Sequence, residues 1–193
     1  MQTVRLFVAT RLPDDLRTAL VAVQHEMESA LPLRSASWTR GEKLHLTLRF
    51  LGDVDSERVD QLASDLAVAL TGFGAVDLIC ERLGCFPDLR FPRVVWAWVH
   101  DAQERLTALS DKVNTVVTPY TAKPVEERFT GHITLARPRG IKRAAAETLA
   151  RFVEAGVTRR FGAWRATEVE LVRSERLDMG SRYSTVAVVK LEG

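Results

Sequence analysis

The feature that most constrains this chain is an order of predicted strands and helices that occurs twice. Apolar residues alternate in short runs typical of strands, and they recur every three or four positions in longer runs typical of amphipathic helices. The first half gives strand, helix, strand, helix and a closing strand. The second half gives the same order with two closing strands, so we interpret the chain as a duplicated unit. The predicted strands are about 4–12, 44–51, 76–80, 93–99, 131–136, 167–173 and 183–191, and the predicted helices are about 13–31, 56–70, 101–117 and 143–155.

This repeated order predicts the fold class. A parallel, doubly wound sheet is disfavoured because no glycine-rich turn follows the first strand. We therefore expect an α+β fold with two lobes, two antiparallel sheets that face a central cleft, and helices on the outside. All of 1–193 is predicted to be one bilobal domain, with repeat halves of about 1–90 and 91–193. The central strand of each half would face the cleft.

Composition bounds the classes of protein that remain. The chain has 193 residues, 46% hydrophobic and 27% charged, which is typical of a folded globular protein. The net charge of +2 does not by itself indicate a nucleic-acid-binding protein. Basic residues do cluster in two stretches of the sequence, and each cluster is either a solvated surface or an anion site. These residues are Arg40, Lys43, Arg49, Arg137, Arg139, Lys142 and Arg143.

Neither a membrane segment nor a thiol site is predicted. The opening apolar stretch is too short for a signal peptide, and no run approaches the roughly 18 apolar residues of a membrane helix. We therefore expect a cytoplasmic protein, and a monomer. Cys80 and Cys85 lack the second pair of ligands that a zinc site needs, so they are predicted to be ordinary strand residues.

The two central strands carry the same tetrad, His45-Leu46-Thr47-Leu48 and His132-Ile133-Thr134-Leu135. Residues two apart on a strand share a face, so each histidine projects beside its threonine while the aliphatic residues pack the other way. A single His-x-Thr is a weak signal that usually reflects structure. Two copies, 87 residues apart (132 minus 45) at the centres of both repeats, indicate a shared site.

Two histidines and two hydroxyls in one cleft suit cleavage of a phosphodiester. A neutral imidazole can take a proton from water while an imidazolium gives one to the leaving oxygen, so no metal and no cofactor is needed. Threonine hydroxyls can donate to the non-bridging phosphate oxygens. His25 and His100 are expected to be structural.

With these motifs the chain resembles the bacterial and archaeal RNA 2′,3′-cyclic phosphodiesterases, or 2′-5′ RNA ligases, of the two-histidine phosphoesterase superfamily. The resemblance runs through RLFVATRLP, WTRGEKLHLTLRFLGDVD, CFPDLRFPRVVWAWV, RFTGHITLARPR and LVRSERLDMGSRYSTVAVVKL. It implies a bilobal α+β fold, hydrolysis of the 2′,3′-cyclic phosphate of an RNA end or cyclic nucleotide to a 2′-phosphate, and reversible 2′-5′ ligation.

The resemblance also implies roles for single residues. His45 and His132 would be catalytic, with His132 as base toward water and His45 as acid toward the ribose oxygen. Thr47, Thr134 and Arg137 would hold the phosphate, and Phe50 would contact the nucleobase unless it fills the core. Phe50 and Arg137 each follow their histidine by five positions, so both strands must bulge or end before them.

Two other classes of function stay open. A binding module for nucleotides or RNA ends would need donors but not two titratable groups. A metallohydrolase would rest on the pair Asp53 and Asp55, which coincides with an expected helix cap.

Overall fold

The structure is a computed structural model that describes residues 2–125, 128–177 and 180–193. Within these ranges nine strands form two sheets, and four α-helices cover them. The helices are α1 (Asp14–Ala30), α2 (Val59–Leu70), α3 (Arg105–Val117) and α4 (Arg143–Ala155). The strands are β1 (Thr3–Arg11), β2 (Ala36–Trp38), β3 (His45–Asp55), β4 (Val76–Phe86), β5 (Val94–His100), β6 (His132–Pro138), β7 (Arg160–Ala166), β8 (Glu168–Leu177) and β9 (Gly180–Lys190).

Both sheets are antiparallel throughout. The first sheet has the strand order β3-β1-β8-β9, and the second has the order β2-β6-β5-β4-β7. The predicted α+β class is confirmed, as is the pair of antiparallel sheets that present their histidine strands to one cleft. β4 and β5 are joined by a short hairpin connection, and such connections pair neighbouring strands in antiparallel fashion.

Each sheet draws strands from both halves of the sequence. The opening strand of each half pairs on one side with the histidine strand of the same half, so β1 pairs with β3 and β5 pairs with β6. On its other side it pairs with a strand of the opposite half, so β8 joins β1 and β4 joins β5. The two halves are therefore interlocked through exchanged strands.

The helices lie on the outer faces of the sheets, as predicted. α1 packs on β6 and β7 beside α4, whereas α2 and α3 pack together over the first sheet. Their apolar stripes are buried, and α1, for example, contributes Leu16, Leu20, Val23 and Met27 at helical spacing to the continuous core. No helix in the described ranges is both long and apolar enough to cross a membrane.

Some element boundaries differ from the predictions. β3 continues past Gly52, where we expected it to end, because Gly52 adopts a φ of +75° within a register irregularity and the strand resumes beyond it. α3 begins at Arg105 rather than at Asp101, whose carboxylate instead accepts the backbone N–H of Arg105 at 2.8 Å. β2 and β7 were not predicted, since β2 is only three residues long and β7 does not alternate cleanly.

Candidate active site

The two His-x-Thr pairs open into one cavity. On β3 and β6 the alternation is as predicted, with the aliphatic residues of both tetrads buried at 0–3% exposure and the histidines and threonines half-buried. The cavity has a volume of about 470 Å³. Its walls bring together all six residues that the sequence singled out: His45, Thr47, Phe50, His132, Thr134 and Arg137.

The two imidazoles are held by the same backbone contact. Nδ1 of His45 lies 2.7 Å from the carbonyl oxygen of Lys43, and Nδ1 of His132 lies 2.7 Å from that of Thr130. A carbonyl oxygen can only accept, so Nδ1 carries the proton and donates it in both rings. Nε2 is therefore the nitrogen left to exchange a proton with a substrate in the cavity.

Aromatic rings fix the orientation of both histidines. The ring of Phe7 stacks on His45 with centroids 4.9 Å apart, and Tyr183 meets the same imidazole edge-on at 5.6 Å. Phe86 meets His132 edge-on at 5.2 Å. Tyr183 and Phe86 lie on β9 and β4, so part of each histidine's support comes from distant sequence.

The surroundings of His45 lower its pKa. Burial is the main cause, because desolvation disfavours the imidazolium, and the hydrogen bond to the Lys43 carbonyl opposes it. Electrostatic repulsion between the two imidazolium charges lowers the pKa of His45 further, as expected when two imidazoles share a cavity.

Two bulges turn Phe50 and Arg137 toward the cavity. Leu48 has no partner residue in β1, and Leu135 has none in β5. Each histidine strand therefore contains one extra, unpaired residue after its threonine. An extra residue reverses the alternation, which places the fifth residue after each histidine on the histidine's own face. Of the two possibilities that the spacing left, a bulge or a strand end, both strands have the bulge. Phe50 is 44% exposed, so its ring lies on the cavity wall and does not fill the core.

The model of one protein family, LigT like Phosphoesterase, matches residues 11–96 and again 98–183. The chain belongs to the LigT-like phosphoesterase family. The predicted resemblance is therefore confirmed, and so is the prediction of an enzyme of the phosphoesterase class.

Relatives of this LigT-like phosphoesterase match it from end to end. A protein of Methanothermobacter thermautotrophicus named RNA 2′,3′-cyclic phosphodiesterase is 28% identical over 97% of this chain and 99% of its own. One of Thermus thermophilus with the same name is 30% identical over 98% of this chain and 91% of its own.

Solved structures share the fold. A crystal structure of a Thermus thermophilus protein has a TM-score of 0.79 at 26% identity and covers 98% of both chains. LigT of E. coli complexed with 3′-AMP has a TM-score of 0.76 at 22% identity and covers 100% of both chains.

Sequence reasoning missed part of the cavity wall of the LigT-like phosphoesterase. Tyr183 falls in a predicted strand, where no local signal distinguishes a residue facing the cavity from any other. Phe86 lies between the predicted strands 76–80 and 93–99, on a part of β4 that was not predicted. Arg128 follows no recognisable pattern. The remaining residues of the wall are Thr39, Lys43, Val94 and Thr130.

Arg49 is a correction to the predicted basic cluster. It is 6% exposed, and its guanidinium donates to the carbonyl oxygens of Lys123 at 2.7 Å and Pro124 at 2.8 Å. The bulge that brings Phe50 to the cavity turns Arg49 away from it. Arg49 therefore holds the segment that leads toward β6 and does not provide an anion site.

The alternative of a metal site at Asp53 and Asp55 gains no support. The Asp55 carboxylate accepts the backbone N–H of Glu57 at 3.1 Å and caps a short 3-10 turn, as the cap interpretation expected. In residues 2–125, 128–177 and 180–193, no three His, Cys, Asp or Glu side chains gather as metal ligands would. Cys80 and Cys85 are free thiols on β4.

Proposed function

We propose that this LigT-like phosphoesterase hydrolyses the 2′,3′-cyclic phosphate of an RNA end or nucleoside to a 2′-phosphate, with His45 and His132 as its acid/base pair. The observation that carries the proposal is the symmetric pair of imidazoles, each held through Nδ1 by the carbonyl two residues earlier, on one cavity. The name that its relatives share, RNA 2′,3′-cyclic phosphodiesterase, supports this choice of substrate.

The proposed step exchanges one bond at phosphorus for another. Nε2 of His132 takes a proton from water, whose oxygen bonds to phosphorus, while Nε2 of His45 gives a proton to the ribose 3′ oxygen as its bond to phosphorus breaks. The phosphate stays on the 2′ oxygen. A bound phosphodiester is an anion and favours the imidazolium form, so it offsets the effect of burial on the pKa of His45.

The other residues of the wall suit the charge that develops on phosphate. Thr47 and Thr134 lie two residues after the histidines on the same strand faces, where their hydroxyls can donate to the non-bridging oxygens. The Arg137 guanidinium can donate two parallel hydrogen bonds to the same group. Phe50 offers an exposed ring on which the nucleobase can stack.

Two further properties belong to the proposal. The imidazoles account for both proton transfers, so no step requires a metal ion. A ribose 5′-hydroxyl in place of water would make a 2′-5′ phosphodiester by the same bond exchange. The proposed enzyme would therefore also catalyse reversible 2′-5′ RNA ligation.

Phosphorus NMR of a nucleoside 2′,3′-cyclic monophosphate incubated with the protein and EDTA tests the proposal. We expect a 2′-monophosphate as the product. His45→Ala and His132→Ala should each lose roughly 100- to 10,000-fold in rate, whereas the exposed His25→Ala on α1 should not. Nucleotide binding without turnover would indicate a binding module, and a 3′-phosphate product would overturn the proposed direction of opening.

A further inference from the structure

A second concavity lies beside the cavity of the two histidines. It is a groove of about 920 Å³ between the β4–β5 connection, the end of β6 and helix α4. Its lining is partly apolar and partly cationic. The residues that matter below are Arg90, Phe91, Arg93, Pro138, Arg143 and Glu147.

The groove begins where the histidine cavity ends. Val94 on β5 and Arg137 on β6 line the histidine cavity, and the next residue outward on each chain segment, Arg93 or Pro138, lines the groove. The backbone N–H of Arg93 donates at 2.7 Å to the carbonyl of Phe86, whose ring contacts His132. A linear ligand bound in the histidine cavity can therefore extend into the groove.

One aromatic ring of the groove is largely exposed to solvent. Phe91 is 72% exposed, although transfer of a phenylalanine side chain from water is favourable. Exposed aromatic rings beside cationic grooves are the usual platform on which bases of single-stranded nucleic acids stack.

Three arginines, Arg90, Arg93 and Arg143, line the same groove as Phe91. Within the described part of the chain, the guanidinium of Arg93 makes no hydrogen bond or ion pair, and that of Arg90 comes only within 3.8 Å of Asp88. Arg143 is paired with Glu147 at 2.8 Å, and Glu154 lies about three turns beyond Arg143 on α4. The uncompensated positive charge is therefore on the side of Phe91.

We propose that this groove binds the nucleotide preceding the terminal one in an RNA substrate, with its base on Phe91 and the connecting phosphate on Arg93. The inference rests on the proposed function and makes oligoribonucleotides that end in a 2′,3′-cyclic phosphate the preferred substrates. Adjacent apolar and cationic groups suit a base and a phosphate of the same RNA strand. The groove also lies where an RNA strand would continue if its 3′ end were bound at the histidines.

The test compares two substrates of the same full-length protein. A short oligoribonucleotide with a 2′,3′-cyclic phosphate end would occupy both the cavity and the groove, whereas a nucleoside 2′,3′-cyclic monophosphate would occupy only the cavity. Phe91→Ala should lower kcat/KM at least roughly fivefold on the oligonucleotide and leave it unchanged on the mononucleotide, because stacking is lost. Phe91→Tyr retains the ring and should behave like the unmodified protein.

Salt dependence tests the arginine. Arg93→Gln should lower kcat/KM on the oligonucleotide roughly two- to fivefold, and reduce the slope of its logarithm against the logarithm of salt concentration by about 0.7, the contribution of one single-strand phosphate contact. Arg151→Gln is the matched control, since Arg151 is an exposed arginine of α4 that lines neither concavity.

The outcomes separate the two proposals. Turnover of neither substrate by the unmodified protein would overturn the proposed function. Turnover of both, with Phe91→Ala and Arg93→Gln affecting the two substrates equally or not at all, would overturn the groove alone.

Discussion

The ring of Tyr183 stands edge-on to the ring of His45, with centroids 5.6 Å apart and an angle of 84° between the planes. The two residues are 138 positions apart in sequence (183 minus 45). Tyr183 also meets Phe7 edge-on at 5.1 Å, and the Lys43 ammonium lies 5.8 Å from the centroid of its ring. β9 thus helps to position the imidazole and to shield it from water.

The contact predicts that the ring of Tyr183 matters for activity and its hydroxyl does not. Tyr183→Phe should keep kcat within about twofold, whereas Tyr183→Ala should lower it on the order of tenfold or more, since small displacements of a catalytic group are costly. NMR titration of His45 should also show a higher pKa in Tyr183→Ala, because the imidazole regains water. Equal losses in both variants would instead assign the role to the hydroxyl.

The lowered pKa of His45 predicts a pH dependence of stability. The unfolded chain takes up the proton near the ordinary value of 6.5, whereas the folded chain takes it up only at lower pH. The neutral ring therefore contributes stability above pH 6.5, and this contribution is lost as the pH falls through the folded pKa. Urea unfolding should be measured at pH 7.5 and at pH values about one and two units below 6.5. The free energy of unfolding should fall less with decreasing pH for His45→Asn than for the unmodified protein. An equal or larger fall for His45→Asn would contradict this prediction.

Arg49 is predicted to support stability rather than substrate binding. Arg49→Met leaves the Lys123 and Pro124 carbonyls without their donors and should lower the free energy of unfolding by about 1–3 kcal/mol. Arg151→Met, at an exposed position, should change it by less than about 0.5 kcal/mol. Thermal or urea unfolding measures both. A raised KM with unchanged stability in Arg49→Met would place Arg49 on the substrate instead.

The threonines are predicted to act on the transition state. Thr47→Val and Thr134→Val keep the β-branched shape that suits a strand but remove the hydroxyl donor, so each should lower kcat by up to about 100- to 1,000-fold with little change in KM. Serine at either position keeps the donor and should retain most of the rate. Steady-state kinetics on a cyclic nucleotide distinguish these results. A valine variant that changes only KM would indicate that the threonine hydroxyl binds the substrate in the ground state instead.

The sequence alone predicted the faces of the elements. Alternation on β3 and β6 placed each histidine beside its threonine. The odd spacing of Phe50 and Arg137 required a bulge or a strand end, and the strand registers contain bulges. The helices were predicted with small errors at their ends, because their apolar stripes repeat at the helical period. Periodicity is a local property of the chain, so it can be read locally.

Only the tertiary structure decided which strands meet. The exchange of β4 and β8 between the halves brings Phe86 to His132, and the place of β9 beside β8 brings Tyr183 to His45. The surroundings of Arg49 and Arg137 also depend on distant segments, because Arg49 is buried against the carbonyls of Lys123 and Pro124 whereas Arg137 faces the cavity. Strand pairing joins segments far apart in the chain and depends on the whole core, whereas a side chain's periodicity fixes only the face on which it lies.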